Sequence, residues 1–148
     1  MTSTLPNEPA TVVLTIPTQP YIFLAEDDLD DQELLTDAIS HYNNSLQVHA
    51  VSNGKKALYF LEGLNTGQMP VLIVLDYNLP ELDGADILLA LKNHPQFSQI
   101  PKVVWSTSSA ARYEHACVNL GADAYFVKPT SLEDIHEIVG RMLRLCRL

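Results

Sequence analysis

Asp76 ends an apolar run, Val71–Leu75, and is followed by loop residues through Gly84. A short apolar run closed by a loop reads as a strand buried on both faces. Asp76 then stands at the carboxyl end of a central parallel strand, the edge where ligands bind in open α/β sheets. Glu26-Asp27-Asp28 closes a second apolar run, Tyr21–Ala25. Like charges a few ångströms apart either raise a pKa or capture a cation. With oxygen donors and no histidine or cysteine at ligand spacing, the cation should be hard, which favours Mg²⁺ over zinc. Mg²⁺ takes one or two carboxylates plus phosphate oxygens, so the pattern asks for a phosphoryl group. Aspartate can accept one as an aspartyl-phosphate. Ser106 and Lys128, at the ends of two later apolar runs, offer a hydroxyl and an ammonium suited to phosphate oxygens.

These groups meet only if the chain folds to bring them together. From Tyr21 it alternates strand and helix patterns five times. The strands are Tyr21–Ala25, Leu46–Val51, Val71–Leu75, Lys102–Ser106 and Ala124–Val127. The first helix spans about 30–42, with Leu34, Leu35, Ala38 and Ile39 on one apolar face and an acidic first turn that suits the helix dipole. Asn53-Gly54 turns into a helix carrying Ala57, Leu58, Phe60 and Leu61. A third helix covers about 85–92, and a fourth about 110–120 with Gly121 as its left-handed cap. The last spans 132–145, with Ile135, Ile138, Val139, Met142 and Leu145 as its buried stripe. Such alternation predicts an α/β doubly wound fold, a parallel sheet with helices on both faces. Five strands favour the flavodoxin-like (βα)5 order 2-1-3-4-5, whose crevice lies between strands one and three. That order brings Glu26, Asp27 and Asp76 together.

At 148 residues the chain is one domain. Its net charge of −9 lacks the basic footprint that nucleic-acid binding needs. No apolar run reaches the length of a membrane span, and the start lacks a basic signal-peptide region. Cys117 and Cys146 have no metal-type spacing, and two reduced thiols fit a cytoplasmic protein. Residues 1–20 carry four prolines and read as an irregular, poorly ordered leader, within which Val12–Ile16 offers a short edge strand or a docking segment. Asp28, Asp30 and Asp31 read as solvated charges at a helix start, Asp83 as a turn residue, Trp105 as core, and Arg141, Arg144 and Arg147 as dipole complements.

The stretch from Tyr21 onward resembles the receiver domain of two-component response regulators. The fragments that carry the resemblance are Glu26-Asp27, Asp76-Tyr77-Asn78-Leu79-Pro80 with Asp83-Gly84, Ser106, and Gly121-Ala122, Tyr125 and Lys128-Pro129. Lys128 follows Asp76 by 52 residues and Ser106 follows it by 30, as in that family. The resemblance also sets the acid pair as Glu26-Asp27, since Asp28 alone offers an alternative register. It implies that Asp76 is the phospho-acceptor and that Asp27 binds Mg²⁺ directly, with Mn²⁺ able to substitute. Glu26 would bind through water, and the Asn78 backbone carbonyl would complete the ligands. Lys128 would pair with the phosphoryl group across a cis Lys128–Pro129 bond. Ser106 would move toward the phosphate, and the Tyr125 ring would follow. Tyr125 and Lys128 should face opposite sides of the last strand.

The implied protein is a stand-alone receiver covering 21–148 with no output domain. It is a signalling protein, not an enzyme, although it assists its own Mg²⁺-dependent phosphorylation and dephosphorylation. Its implied partners are a histidine kinase and a downstream protein or phosphotransfer domain, with a homodimer as one form and neither nucleic acid nor membrane involved. Asn93-His94-Pro95, Ile100-Pro101 and Ser106-Thr107-Ser108 further resemble single-domain regulators that serve phytochrome-type kinases. Rival readings are a phosphorelay intermediate, a phosphorylation-independent binding module, and a phosphohydrolase with an aspartate nucleophile. The last usually has a second carboxylate two residues on, where this chain has Asn78.

Overall fold

The computed structural model describes residues 16–146. The proposed leader through residue 15, including most of Val12–Ile16, and Arg147 lie outside them. Five parallel strands run in the order β2-β1-β3-β4-β5. They are β1 (Tyr21–Ala25), β2 (Gln47–Val51), β3 (Leu72–Asp76), β4 (Lys102–Ser106) and β5 (Ala124–Val127). Between and after them come α1 (Leu29–Tyr42), α2 (Gly54–Glu62), α3 (Gly84–Leu91), α4 (Ala111–Asn119) and α5 (Leu132–Arg144). The doubly wound order expected from the alternation is the one observed.

Alternation along each strand divides the core in two. Phe23, Ile73, Leu75 and Val104 face Ala57, Phe60, Ile87, Leu88 and Cys117 of α2, α3 and α4. Ile22, Leu24, Leu72, Val74, Val103 and Trp105 face Leu35, Ile39, Ile135, Val139 and Met142 of α1 and α5. The three central strands are buried at every position, so apart from Lys102 and the polar residues Asp76 and Ser106 at their ends they read as apolar runs. Ile16 packs against the first of these layers.

Local chemistry sets the helix starts. Asp28, Asn53, Asp83 and Ser131 each accept hydrogen bonds from backbone N–H groups of the turn that follows. Asp83 and Asp86 form a reciprocal capping box at 2.8 and 3.1 Å. Each such cap contributes about 1 kcal/mol. Gly121 adopts the left-handed conformation expected of it, at φ 103°.

Three expectations need correction. Leu34 and Leu145 are exposed rather than part of their helices' buried faces. Both lie at the margin of an apolar stripe, where a residue one position off turns by 100° toward water. Lys128–Pro129 is trans, as is every described peptide bond; trans is the lower-energy form even before proline.

Candidate functional site at the carboxyl edge of the sheet

The sheet ladder continues a residue past several strand ends and so fixes the backbone of the site. Glu26 N–H donates to Val51 O at 2.9 Å, Tyr77 N–H to Trp105 O at 3.2 Å, and Lys128 N–H to Ser106 O at 2.7 Å. Gln32 of α1 donates from its side chain to the Glu26 carbonyl at 2.5 Å, tying the first helix to the end of β1. Behind Asp76, Gly84 N–H donates to Tyr77 O at 3.0 Å. A Cβ on Gly84 would lie 2.7 Å from the Asp76 carbonyl oxygen, so the close approach of α3 to the site needs glycine there.

Asp76 is only 4 % exposed, Glu26 and Ser106 are fully buried, and Asp27 reaches solvent. One oxygen each from Glu26, Asp27 and Asp76 lie within 4.8 Å of one another. Asp76 Oδ1 accepts from Asn78 N–H at 3.0 Å, and Asp76 Oδ2 accepts from Lys128 Nζ at 2.9 Å. Lys128 Nζ also donates to Asp31 Oδ2 at 2.9 Å and lies 2.8 Å from Glu26 Oε1. The Glu26 contact is close but poorly directed. It is a charge contact, and Glu26 Oε1 has no hydrogen-bond partner.

Burial pushes Glu26 above the usual carboxylate range, and the neighbouring Asp76 adds to the rise. Burial alone would lower the Lys128 ammonium, but Glu26, Asp76 and Asp31 outweigh it and hold the amine charged. An all-oxygen donor set with a buried oxygen lacking a donor fits a hard divalent cation. The geometry thus brings together Glu26, Asp27, Asp76 and Lys128 as expected, and puts the Asn78 backbone beside them through its N–H.

Ser106 and Tyr125 meet through Ser108. Ser106 Oγ accepts from Ser108 N–H at 3.1 Å, and the Tyr125 hydroxyl donates to Ser108 O at 2.7 Å. Tyr125 packs on the α2–α4 side while Lys128 points into the acidic crevice, as the strand alternation requires.

Two participants escape a reading of the sequence. Asp31 is a partner of Lys128, not a freely solvated charge. Its place in the first turn of α1, just after the acid pair that ends β1, was the available signal. Tyr77, directly after Asp76, sets its ring 4.9 Å from that of Tyr113 on α4, with Arg112 over the Tyr113 ring. No local pattern marks that pair. A cavity of about 410 Å³ lies between Pro70, Ile100 and Asp123 and contains none of these residues. A phosphoryl group and an aquated ion need an open sheet edge more than an enclosed pocket.

A parallel doubly wound sheet thus carries three carboxylates and a lysine at its switch-point edge, an arrangement suited to a hard cation and a phosphoryl group. Residues 22–140 match the response regulator receiver domain, and the chain belongs to that family. It is therefore a phosphoryl-accepting response regulator, the class that receives phosphoryl groups from histidine kinases. It is 29 % identical over 121 residues to the two-component response regulator ORR12 of Oryza sativa subsp. japonica, covering 82 % of this chain and 96 % of that one. The phosphorylated cyanobacterial phytochrome response regulator RcpA superposes with a TM-score of 0.77 at 30 % identity, covering 86 % of this chain and 94 % of that one. The Mn²⁺-bound form of response regulator Rcp1 superposes at 0.73 with 28 % identity, covering 84 % and 91 %. Among the described residues no helix is long and apolar enough to cross a membrane.

Proposed function

We propose that Asp76 is the phospho-acceptor of this receiver, with Lys128 as the cationic partner of the incoming phosphoryl group and Mg²⁺ as the metal. The observation that carries the reading is Lys128 Nζ at 2.9 Å from Asp76 Oδ2, beside the oxygens of Glu26 and Asp27. Glu26, Asp27 and Asp76, with the Asn78 carbonyl, would hold the ion. When bound, it offsets carboxylate repulsion and supplies positive charge for phosphoryl oxygens. The Mn²⁺ form of Rcp1 supports a divalent ion, and the oxygen donors favour Mg²⁺.

In the transfer, a carboxylate oxygen of Asp76 forms a bond to phosphorus and the donor's N–P bond breaks. The electron pair stays on the donor imidazole, which takes up a proton. Asn78 N–H and Lys128 orient the carboxylate through its two oxygens, and Lys128 stands ready for charge that develops on the phosphoryl group. To reach that group, the Ser106 hydroxyl gives up its bond from Ser108 N–H. Ser108 moves in turn, and the Tyr125 hydroxyl that donates to it follows. Phosphorylation thereby shifts an equilibrium of the α4–β5–α5 face and alters docking to another protein. The chain acts in the cytoplasm as a signalling protein that assists its own phosphorylation.

Intact-mass analysis after incubation with acetyl phosphate tests this, with and without Mg²⁺ and beside Asp76→Asn. A single Mg²⁺-dependent phosphoryl adduct, absent from the variant, is expected. An adduct that persists in Asp76→Asn would put the acceptor elsewhere. No adduct from acetyl phosphate or from a histidine kinase would favour a phosphorylation-independent binding module.

A further inference from the structure

Lys128 is the one cation seated in the described crevice, and its side chain is only 11 % exposed. An ammonium has three protons to donate, and a buried one without partners is costly. Its two directed bonds run to Asp76 Oδ2 and Asp31 Oδ2, both at 2.9 Å, and Glu26 Oε1 makes the third contact. Two of these three carboxylates, Asp76 and Glu26, are also the proposed ligands of the cation. An ion drawing on their oxygens therefore competes with the amine for the same lone pairs. Asp31 stands apart from the trio of Glu26, Asp27 and Asp76 that could share an ion. It sits in the first turn of α1, with its side chain 29 % exposed.

We propose that Asp31 is a positioning residue that anchors the Lys128 ammonium clear of the cation's ligands, so that Mg²⁺ and Lys128 can occupy the crevice together. The inference rests on the reading of the site given above and adds a fourth carboxylate with its own task. When the ion binds, Lys128 keeps Asp31 as a partner while it yields lone pairs on Asp76 and Glu26. Without Asp31, the amine depends entirely on the metal's ligands, and binding of the ion must displace it from both. Asp30, the adjacent acid, is exposed and pairs with no cation among the described residues. It carries the same charge in the same helical turn, which makes it the control for helix-dipole and general electrostatic effects.

The test is calorimetric titration of the unphosphorylated protein with Mg²⁺, which reads affinity without any turnover. Asp31→Asn should weaken Mg²⁺ binding roughly fivefold, and Asp30→Asn by less than about twofold. In a Lys128→Met background, Asp31→Asn should have less than about a twofold effect, because the amine that it anchors is gone. Asp31→Ala, which also removes the remaining side-chain oxygen, should give the same pattern, and circular dichroism checks that each variant is folded. Equal losses from Asp31→Asn and Asp30→Asn would overturn the proposal. So would a loss from Asp31→Asn that persists unchanged with Lys128→Met. Wild-type protein that binds no Mg²⁺ would instead sink the metal-site reading on which the proposal rests.

Discussion

Residues far from the acidic crevice also carry measurable consequences, and His49 is one. On β2 its ring stacks on Phe60 at 4.2 Å with planes 19° apart, and lies near Phe23 at 6.2 Å. Burial lowers its pKa below the ordinary imidazole value. The unfolded chain therefore takes up a proton at a higher pH than the folded one does. Stability from this group is fully present above the unfolded value of about 6.5 and is lost as pH falls through the lower folded value. His49→Phe keeps an aromatic ring in the stack and removes the titration. Between about pH 7 and pH 5 the melting temperature of the wild type should fall more steeply than that of the variant. Parallel curves would show that His49 is not the source. Lys102 is a second unexpected residue, nearly buried at the start of β4, with its amine donating to the carbonyls of Phe97 at 2.6 Å and Ile100 at 2.9 Å. A lysine opening a strand reads as exposed, and nothing local announces those two acceptors. Asp31 was hidden differently. Acids in a helix's first turn already have an adequate local explanation, and the partner that overrides it is 97 residues away.

At the level of elements, most strand ends were legible because four of the five runs stop at a polar residue that the site uses. Glu26, Asp76, Ser106 and Lys128 all stand where such a run gives way. Helix starts were legible through Asp28, Asn53, Asp83 and Ser131, whose side chains close the first turn. Helix faces were less so at their margins, as Leu34 and Leu145 show, because periodicity gives the centre of a stripe better than its edge. The junction between β3 and α3 is tighter than any pattern reveals. A methyl at Gly84 would press on the Asp76 carbonyl at 2.7 Å and the Tyr77 Cα at 3.1 Å, both backbone atoms that cannot swing aside. Gly84→Ala should therefore destabilise the fold by about 1–3 kcal/mol, read from the midpoint of urea unfolding. Gly67→Ala is the matched control, since a Cβ there meets nothing within 4 Å, and it should change stability by less than about 0.5 kcal/mol. If both substitutions were equally mild, α3 would have room to retreat, and Gly84 would not define the wall behind Asp76.

For the whole molecule, the acids at the sheet edge belong to a chain whose net charge is already −9. Folding gathers Glu26, Asp27 and Asp76 to within 4.8 Å and buries two of them. The single amine of Lys128 offsets only part of that repulsion. A divalent ion that binds the folded chain and not the unfolded one should stabilise it by RT ln(1 + [L]/Kd), about 1.4 kcal/mol for each tenfold excess over Kd. For a domain of this size that corresponds to roughly 3–5 °C in melting temperature per tenfold. Millimolar-order Mg²⁺ should thus raise the melting temperature by several degrees, with Mn²⁺ acting in its place. NaCl at matched ionic strength screens the general repulsion but brings no divalent ion for the carboxylates to coordinate, and should reproduce only a minor part of the shift. Asp27→Ala removes the exposed member of the trio and should abolish most of the Mg²⁺-specific gain while leaving the NaCl response intact. If NaCl matched Mg²⁺, or if Asp27→Ala kept the full shift, the stabilisation would come from screening of a highly acidic surface. The carboxyl edge of the sheet would then not be the place where the ion binds.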